Sequence, residues 1–275
     1  MPFTLAQVSD THLGSRTPLF RANFDRVAGA LAAARPDLVV ASGDVSLDGA
    51  DHEADLAFAA TGFSRMPAPV HAVPGNHDVG DHPERAPRQP TSDARLDRFR
   101  RHMGPTRWTL DRPGWRLLGL DSQVPGAHPA EAAQARMVAE ALATLGDRRL
   151  AVFIHKPVFT ADPDEAGFDY WSVPPFARAP FRPLLDHPAL RLVASGHLHL
   201  FHRFTRDRVR FVWAPSVAFV VAEDEQPGLP GERVCGALLH RFGDDGVETE
   251  LLQPPGMERP FIHEVRHEAY PEPVG

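Results

Sequence analysis

Ala68-Pro69-Val70-His71-Ala72-Val73-Pro74-Gly75-Asn76-His77-Asp78 joins an apolar run of strand length to a Pro-Gly turn that carries Asn, His and Asp. Such a polar cluster on a sharp turn has no role in a core. The stretch reads as a strand that delivers the turn to a functional site. The turn is expected to form one wall of a two-metal site, with Asn76 as a metal ligand and His77 as an acid or base facing a substrate.

The same grammar recurs outward from it. The run 3–8 is followed by Asp10 and His12, 38–41 by Gly43-Asp44, 150–154 by His155, and 190–194 by Gly196-His197-Leu198-His199. Between them, 20–34 places Phe20, Phe24, Val27, Ala30 and Leu31 at helical spacing, and 51–63, 93–103 and 129–145 also read as helices. Strand-helix alternation predicts right-handed crossovers and a largely parallel sheet. In such a sheet the carboxyl ends of the strands share one region of space, so five polar strand ends predict one site. A further strand is expected at 115–120. Beyond 194 the segments 202–204, 209–214, 217–222, 233–241 and 247–252 read as short strands that add antiparallel edges and a second sheet.

The local spacings carry their own expectations. In an extended segment residues i and i+2 face the same way, which pairs Asp10 with His12 and His197 with His199. Gly43, Gly75 and Gly196 leave room for backbone to approach an ion or substrate. The donor set is two carboxylates, one amide oxygen and four imidazoles, without thiolate. It suits zinc, manganese, iron or cobalt, and seven groups are too many for one tetrahedral ion. Two divalent ions against Asp10 and Asp44 would leave the cluster cationic, fit for hydroxide and phosphate.

Composition limits the alternatives. The 275 residues carry 43% apolar side chains, enough for one sizeable core. The net charge of −7, without long like-charge blocks, argues against a nucleic-acid polymer as partner. Cys235 is the single cysteine, so neither an internal disulfide nor a cysteine-rich zinc module is available. The N-terminal run reads as a first strand and not a signal peptide, and no run reaches membrane-spanning length, so a cytoplasmic location is expected. The segments 81–90 and 160–183 read as irregular. The second, with Phe168, Tyr170, Trp171 and Phe176, either overhangs the site or packs on itself.

Taken together, Asp10-x-His12, Gly43-Asp44, Gly75-Asn76-His77-Asp78, His155-x-Pro157 and Gly196-His197-x-His199 resemble, in order, the five signature blocks of the calcineurin-like metallophosphoesterases. The resemblance covers residues 3 to 220. It implies one metal held by Asp10, His12 and His199, a second held by Asn76, His155 and His197, and Asp44 bridging both. His77 matches the family's catalytic histidine. The implied fold is an α/β, four-layer sandwich of two mixed sheets flanked by helices, with the metal site at the carboxyl ends of the strands. The implied cofactors are two divalent or trivalent transition metals of the Fe, Mn or Zn kind.

Ser9-Asp10-Thr11-His12-Leu13 and Leu120-Asp121-Ser122 are similar to the bacterial cyclic-nucleotide and glycerophosphodiester phosphodiesterases. Those enzymes usually carry two histidines and prolines in the fourth block, where this chain has His155-Lys156-Pro157. Lys156 either adds positive charge near a phosphate or points to solvent. The expected activity is hydrolysis of a small anionic phosphodiester, first a cyclic nucleotide, by hydroxide generated at the metals while His77 assists the leaving group. A phosphomonoesterase or pyrophosphatase on the same site, and a non-catalytic metal-stabilised scaffold, remain alternatives, and a homo-oligomer stays open. Asp121 is expected beyond the ligands, orienting a histidine or capping its loop. His82 is a candidate for approaching substrate.

One motif competes. His263-Glu264-Val265-Arg266-His267 fits the H-E-x-x-H pattern of zinc peptidases. Pro260 precedes it, Pro271 and Pro273 follow, and Phe261, Ile262 and Val265 are too few for a buried helix. The expected division is therefore a catalytic domain over 1–252 and a proline-rich tail over 253–275, lying on the surface or on a partner subunit.

Overall fold

The structure, a computed structural model, describes residues 2–166 and 170–269. In chain order it runs β1 (Phe3–Val8), α1 (Arg21–Ala34), β2 (Leu38–Ser42), α2 (Glu53–Phe63), β3 (Val70–Val73), α3 (Asn76–Val79), α4 (Asp93–Met103), β4 (Trp108–Arg112), β5 (Trp115–Leu120), α5 (Ala130–Ala143) and β6 (Arg149–Ile154). Two 3-10 turns lead to α6 (Arg182–Leu185). The chain ends with β7 (Leu190–Ser195), β8 (His202–Arg206), β9 (Val209–Trp213), β10 (Ala237–Gly243), β11 (Gly246–Leu252) and α7 (Ile262–Ala269).

The strands form two mixed sheets, β11-β10-β1-β2-β3 and β4-β5-β6-β7-β9-β8. In the first, β1, β2 and β3 are parallel and β10 closes antiparallel on β1. In the second, β5, β6, β7 and β9 are parallel, with β4 and β8 as antiparallel edges.

Strand alternation explains the layering. Leu5, Leu38 and Val40 face Ala151, Phe153, Leu192 and Ala194 in the core between the sheets. Their neighbours Ala6, Val8, Val39 and Ala41 point the other way and receive Phe24, Val27 and Leu31 from α1, with Leu56 and Phe63 from α2 and Leu96 and Phe99 from α4. On the far side Leu150, Val152 and Ile154 pack against Val138 and Ala141 of α5. Helix, sheet, sheet, helix is thus the four-layer order expected. Burying a leucine-sized side chain stabilises by roughly 1.5–3 kcal/mol, so a strand buried on both faces is held from both sides.

Three local expectations change. Residues 217–222 form no strand; they run as irregular chain whose Val217 and Ala218 amides donate to the Ser9 and Asp10 carbonyls. A strand at 108–112 was not expected: Trp108 and Leu110 point to the core while Thr109 and Asp111 face out, and Pro113-Gly114 turns the hairpin. Residues 262–269 form the helix α7, with Ile262 and Ala269 buried against Phe20, Leu47, Ala218 and Phe219. The tail over those residues therefore lies on the body of its own chain. Phe168, Pro271 and Pro273 lie outside the described residues. Among the described residues, no helix is long and apolar enough to cross a membrane.

Candidate metal centre

Each candidate ligand stands just past a strand. Asp10 and His12 follow β1, Asp44 follows β2, Asn76 opens α3 after β3, His155 follows β6, and His197 and His199 follow β7. The two sheets present these ends together, so ligands from both meet at one edge of the sandwich.

The backbone there is unusual. Asp10 (φ 52°), His12 (41°), Asp44 (47°), His197 (70°) and His199 (54°) all adopt the left-handed region. A non-glycine residue held there costs on the order of 1–3 kcal/mol, and such strain collects at functional sites. The other two described cases are Arg35 at the end of α1 and Asp207 in the β8–β9 turn. This corrects the extended geometry expected for the two i, i+2 pairs. Left-handed turns, not strand alternation, bring both members of each pair to the site.

The glycines serve the side chains. A Cβ at Gly43 would strike the His155 ring, at Gly75 the Asp44 carboxylate, and at Gly196 the Ser9 hydroxyl and the Asp10 carboxylate. They admit ligand side chains rather than a close approach of backbone to an ion.

Three groups of side chains have metal-ligand spacing: Asp10, His12 and His199; Asp44, His155 and His197; and His12, Asp44 and His77. One oxygen joins them. Asp44 Oδ2 lies 3.3 Å from His155 Nε2 and 3.9 Å from His12 Nε2, while Asp44 Oδ1 accepts the His77 backbone N–H at 2.8 Å. His199 Nε2 is 3.3 Å from Asp10 Oδ1 and 3.3 Å from His12 Nε2. Asn76 Oδ1 is 3.2 Å from His155 Nε2.

Carbonyl groups fix the tautomers, because a carbonyl can only accept. Nδ1 of His155 donates to the Ser42 carbonyl at 2.9 Å, and Nδ1 of His199 to the Phe219 carbonyl at 2.8 Å. Nε2 of His197 donates to the Tyr170 carbonyl at 2.8 Å. In the neutral rings the remaining nitrogens present lone pairs to Asp10, Asp44 and Asn76 Oδ1, which also only accept. A converging set of acceptors is satisfied by cations, and a ligand histidine anchored through its other nitrogen is the usual outer support.

The charges agree. Burial, with His77 and other histidines nearby, holds His12 well below its usual value. Burial and the Lys156 ammonium do the same to His197, so both rings are neutral donors. Burial opposes ionisation of Asp44, yet His155, His77 and His12 together hold its carboxyl well below the ordinary range. Burial also opposes protonation of His155, but Asp44 outweighs it and pushes that ring up to about 9. Positive charge is therefore favoured beside Asp44 Oδ2, where a bridging ligand would place metal ions.

His77 differs from the seven ligand candidates. They are buried, with Asn76 the most exposed at 7%, whereas His77 is half-buried. Its Nδ1 donates to the Leu47 carbonyl at 2.8 Å, and its ring stands edge-on to His12 at 4.7 Å.

The remaining candidates are reassigned. Lys156 does not point to solvent; it is buried, with Nζ 2.7 Å from Asp81 Oδ2 and 4.8 Å from the centre of the Tyr170 ring, and its charge bears on His197. Asp121 caps its own loop by accepting the Gln123 amide at 2.9 Å, and burial pushes its carboxyl up to about 7. His82 holds its loop: Nε2 donates to the Gly126 carbonyl and Nδ1 accepts the Glu84 amide. In α7, His263 and Arg266 face Glu225 at 3.8 and 3.0 Å, and none of the three metal-spaced groups includes His263 or His267.

Sequence reasoning missed several supports. Asp78 accepts from the Gly75 and Val45 amides and from the Ser46 amide and hydroxyl, tying the Asp44 loop to the Asn76 turn. Phe219 packs on His12 and His199 at 4.8 and 4.3 Å. The loop at 160–183, expected either to overhang the site or to pack on itself, does reach the centre through Tyr170, whose hydroxyl accepts from Asn76 Nδ2 at 3.0 Å. Asp78 stood in the quoted turn, whereas the Ser42, Leu47 and Phe219 carbonyls leave no mark in a sequence.

Comparison with known proteins identifies the family. Residues 3–201 match the family described as calcineurin-like phosphoesterase. The chain is 30% identical over 264 residues to a 3′,5′-cyclic adenosine monophosphate phosphodiesterase of Pseudomonas aeruginosa, covering 90% of this chain and 88% of that one. It is 26% identical over 275 residues to a probable glycerophosphodiester phosphodiesterase of Arcobacter nitrofigilis, covering 94% and 95%. A dimetal phosphatase from Danio rerio shares the fold, with a TM-score of 0.59 at 14% identity over 91% of this chain and 96% of that one.

Proposed function

Because the chain belongs to the calcineurin-like phosphoesterase family and is a metal-dependent phosphoester hydrolase, we propose that it hydrolyses small phosphodiesters, cyclic nucleotides first, at a two-metal centre. The observation that carries this reading is the convergence of Asp10, His12, His199, Asn76, His155 and His197 around Asp44, with the half-buried His77 beside them. The names of the relatives above support a diester.

Asp10, His12 and His199 would hold one ion, Asn76, His155 and His197 the other, and Asp44 would bridge. Bound there, two metal ions supply Lewis acidity and a nucleophilic water at neutral pH. The chain does the rest. Carbonyl anchors keep the imidazole lone pairs aimed inward, so no reorganisation is needed when charge develops. His77, as the imidazolium with its Nδ1–H held by the Leu47 carbonyl, would give its Nε2 proton to the departing alkoxide and be left as the neutral ring. Iron, manganese and zinc all suit this donor set.

The test is turnover by chelator-stripped protein reloaded with Mn²⁺, Fe²⁺ or Zn²⁺. Bis(p-nitrophenyl) phosphate and 3′,5′-cyclic AMP should be cleaved faster than p-nitrophenyl phosphate. A preference for the monoester would overturn the diester reading, and equal activity without metal would overturn the centre itself.

A further inference from the structure

Tyr170 touches the candidate centre in three ways, though its residue is 38% exposed. Its hydroxyl, turned inward, accepts from Asn76 Nδ2 at 3.0 Å, and its backbone carbonyl accepts from His197 Nε2 at 2.8 Å. Its ring lies 4.7 Å from the His197 ring and 4.8 Å from Lys156 Nζ. Asn76 and His197 are assigned to the same metal, and the ligands assigned to the other have different supports: Ser9 and the His197 amide on Asp10, and the Phe219 carbonyl on His199.

We propose that Tyr170 is a positioning residue for one metal of the pair, setting which face of the Asn76 amide that ion meets. This rests on the two-metal reading above. The Asn76 side chain has one oxygen able to ligate and one NH2 group that cannot, and half a turn about χ2 exchanges them. The phenol oxygen takes the NH2 group, and this leaves Oδ1 turned toward His155. Without that acceptor, the amide loses its preference and the ion meets an N–H in a share of molecules. The Tyr170 carbonyl meanwhile holds His197 with Nδ1 inward. Among the described contacts, one loop residue thus orients two ligands assigned to one ion, whereas Asp10 and His199 of the other are held elsewhere.

Tyr170→Phe removes the hydroxyl alone, keeping the carbonyl bond to His197 and the ring beside Lys156. Chelator-stripped parent and variant are titrated calorimetrically with Mn²⁺ and with Zn²⁺, after equal melting temperatures in chelator establish equal folding. The parent should bind two equivalents. The variant should bind one as tightly as the parent and the other about 10–100-fold more weakly, the usual loss when a ligand's outer support is removed. Unchanged affinity at both equivalents, or equal weakening of both, overturns the role of Tyr170. A parent that binds fewer than two overturns the two-metal reading itself, and with it this inference.

Discussion

His77→Ala separates two roles that the geometry allows for this ring. His77 lies within ligand distance of His12 and Asp44, and it is also the half-buried group beside the centre. If it is the acid, its removal should leave the metals in place. The backbone N–H to Asp44 Oδ1 at 2.8 Å survives in alanine; the losses include the Nδ1 bond to the Leu47 carbonyl and the edge contact with the His12 ring. One such bond contributes about 1 kcal/mol, so the melting temperature should fall by only about 2–4 °C. The effect on rate should instead follow the leaving group. Proton donation by a placed side chain contributes about 10²–10⁴-fold, so kcat on an alkyl diester should fall by that factor. Esters of p-nitrophenol, which leaves readily as an anion, should be cleaved at close to the parent rate. Steady-state kinetics on both esters, with elemental analysis of the same samples, makes the comparison. Equal losses on the two esters would refute the acid role, and loss of a metal equivalent would make His77 a ligand.

Other perturbations should behave as follows. Asp44→Ala should lose both metal equivalents by elemental analysis while the stripped protein stays folded by circular dichroism. Asp78→Ala leaves the Gly75, Val45 and Ser46 amides without their buried acceptor at about 1–3 kcal/mol each; burial, with repulsion from Asp44, raises the Asp78 carboxyl to about 6, and relief of both offsets part. A net loss of roughly 2–6 kcal/mol in urea unfolding is expected. Asp121, pushed by burial to about 7 from an ordinary 3.8, binds its proton more tightly folded than unfolded. Stability from this group is therefore present at low pH and is lost as pH rises from about 4 to about 7. Asp121→Asn should remove that slope and stabilise the protein at pH 8 by up to about 4 kcal/mol, read from unfolding curves across pH.

Much of the fold was legible because buried strands and amphipathic helices have different periods. Residues 3–8, 38–41 and 150–154 read as strands since both faces are buried, and Phe24, Val27 and Leu31 marked a helix. The edge strand at 108–112 was missed because only Trp108 and Leu110 face inward, too short a pattern to stand out beside Arg112-Pro113-Gly114. The run at 217–222 misled because Val217, Ala218, Phe219 and Val220 are buried as a strand's would be, yet they serve the Asp10 loop and the His12 and His199 rings. The polar groups after five strands were visible as residue types. Their left-handed backbone and the carbonyls that orient them were not, since neither depends on a recognisable side chain. Lys156 shows the same limit: its neighbours in sequence say nothing of Asp81 or Tyr170.

The central claim is that two metal ions share Asp44. Anomalous diffraction from crystals grown with manganese would test it most directly. Two peaks are expected about 3.5–4 Å apart on either side of Asp44 Oδ2, with Asp10, His12 and His199 around one and Asn76, His155 and His197 around the other. A single peak, or a pair that leaves Asp44 on one ion alone, would contradict the account.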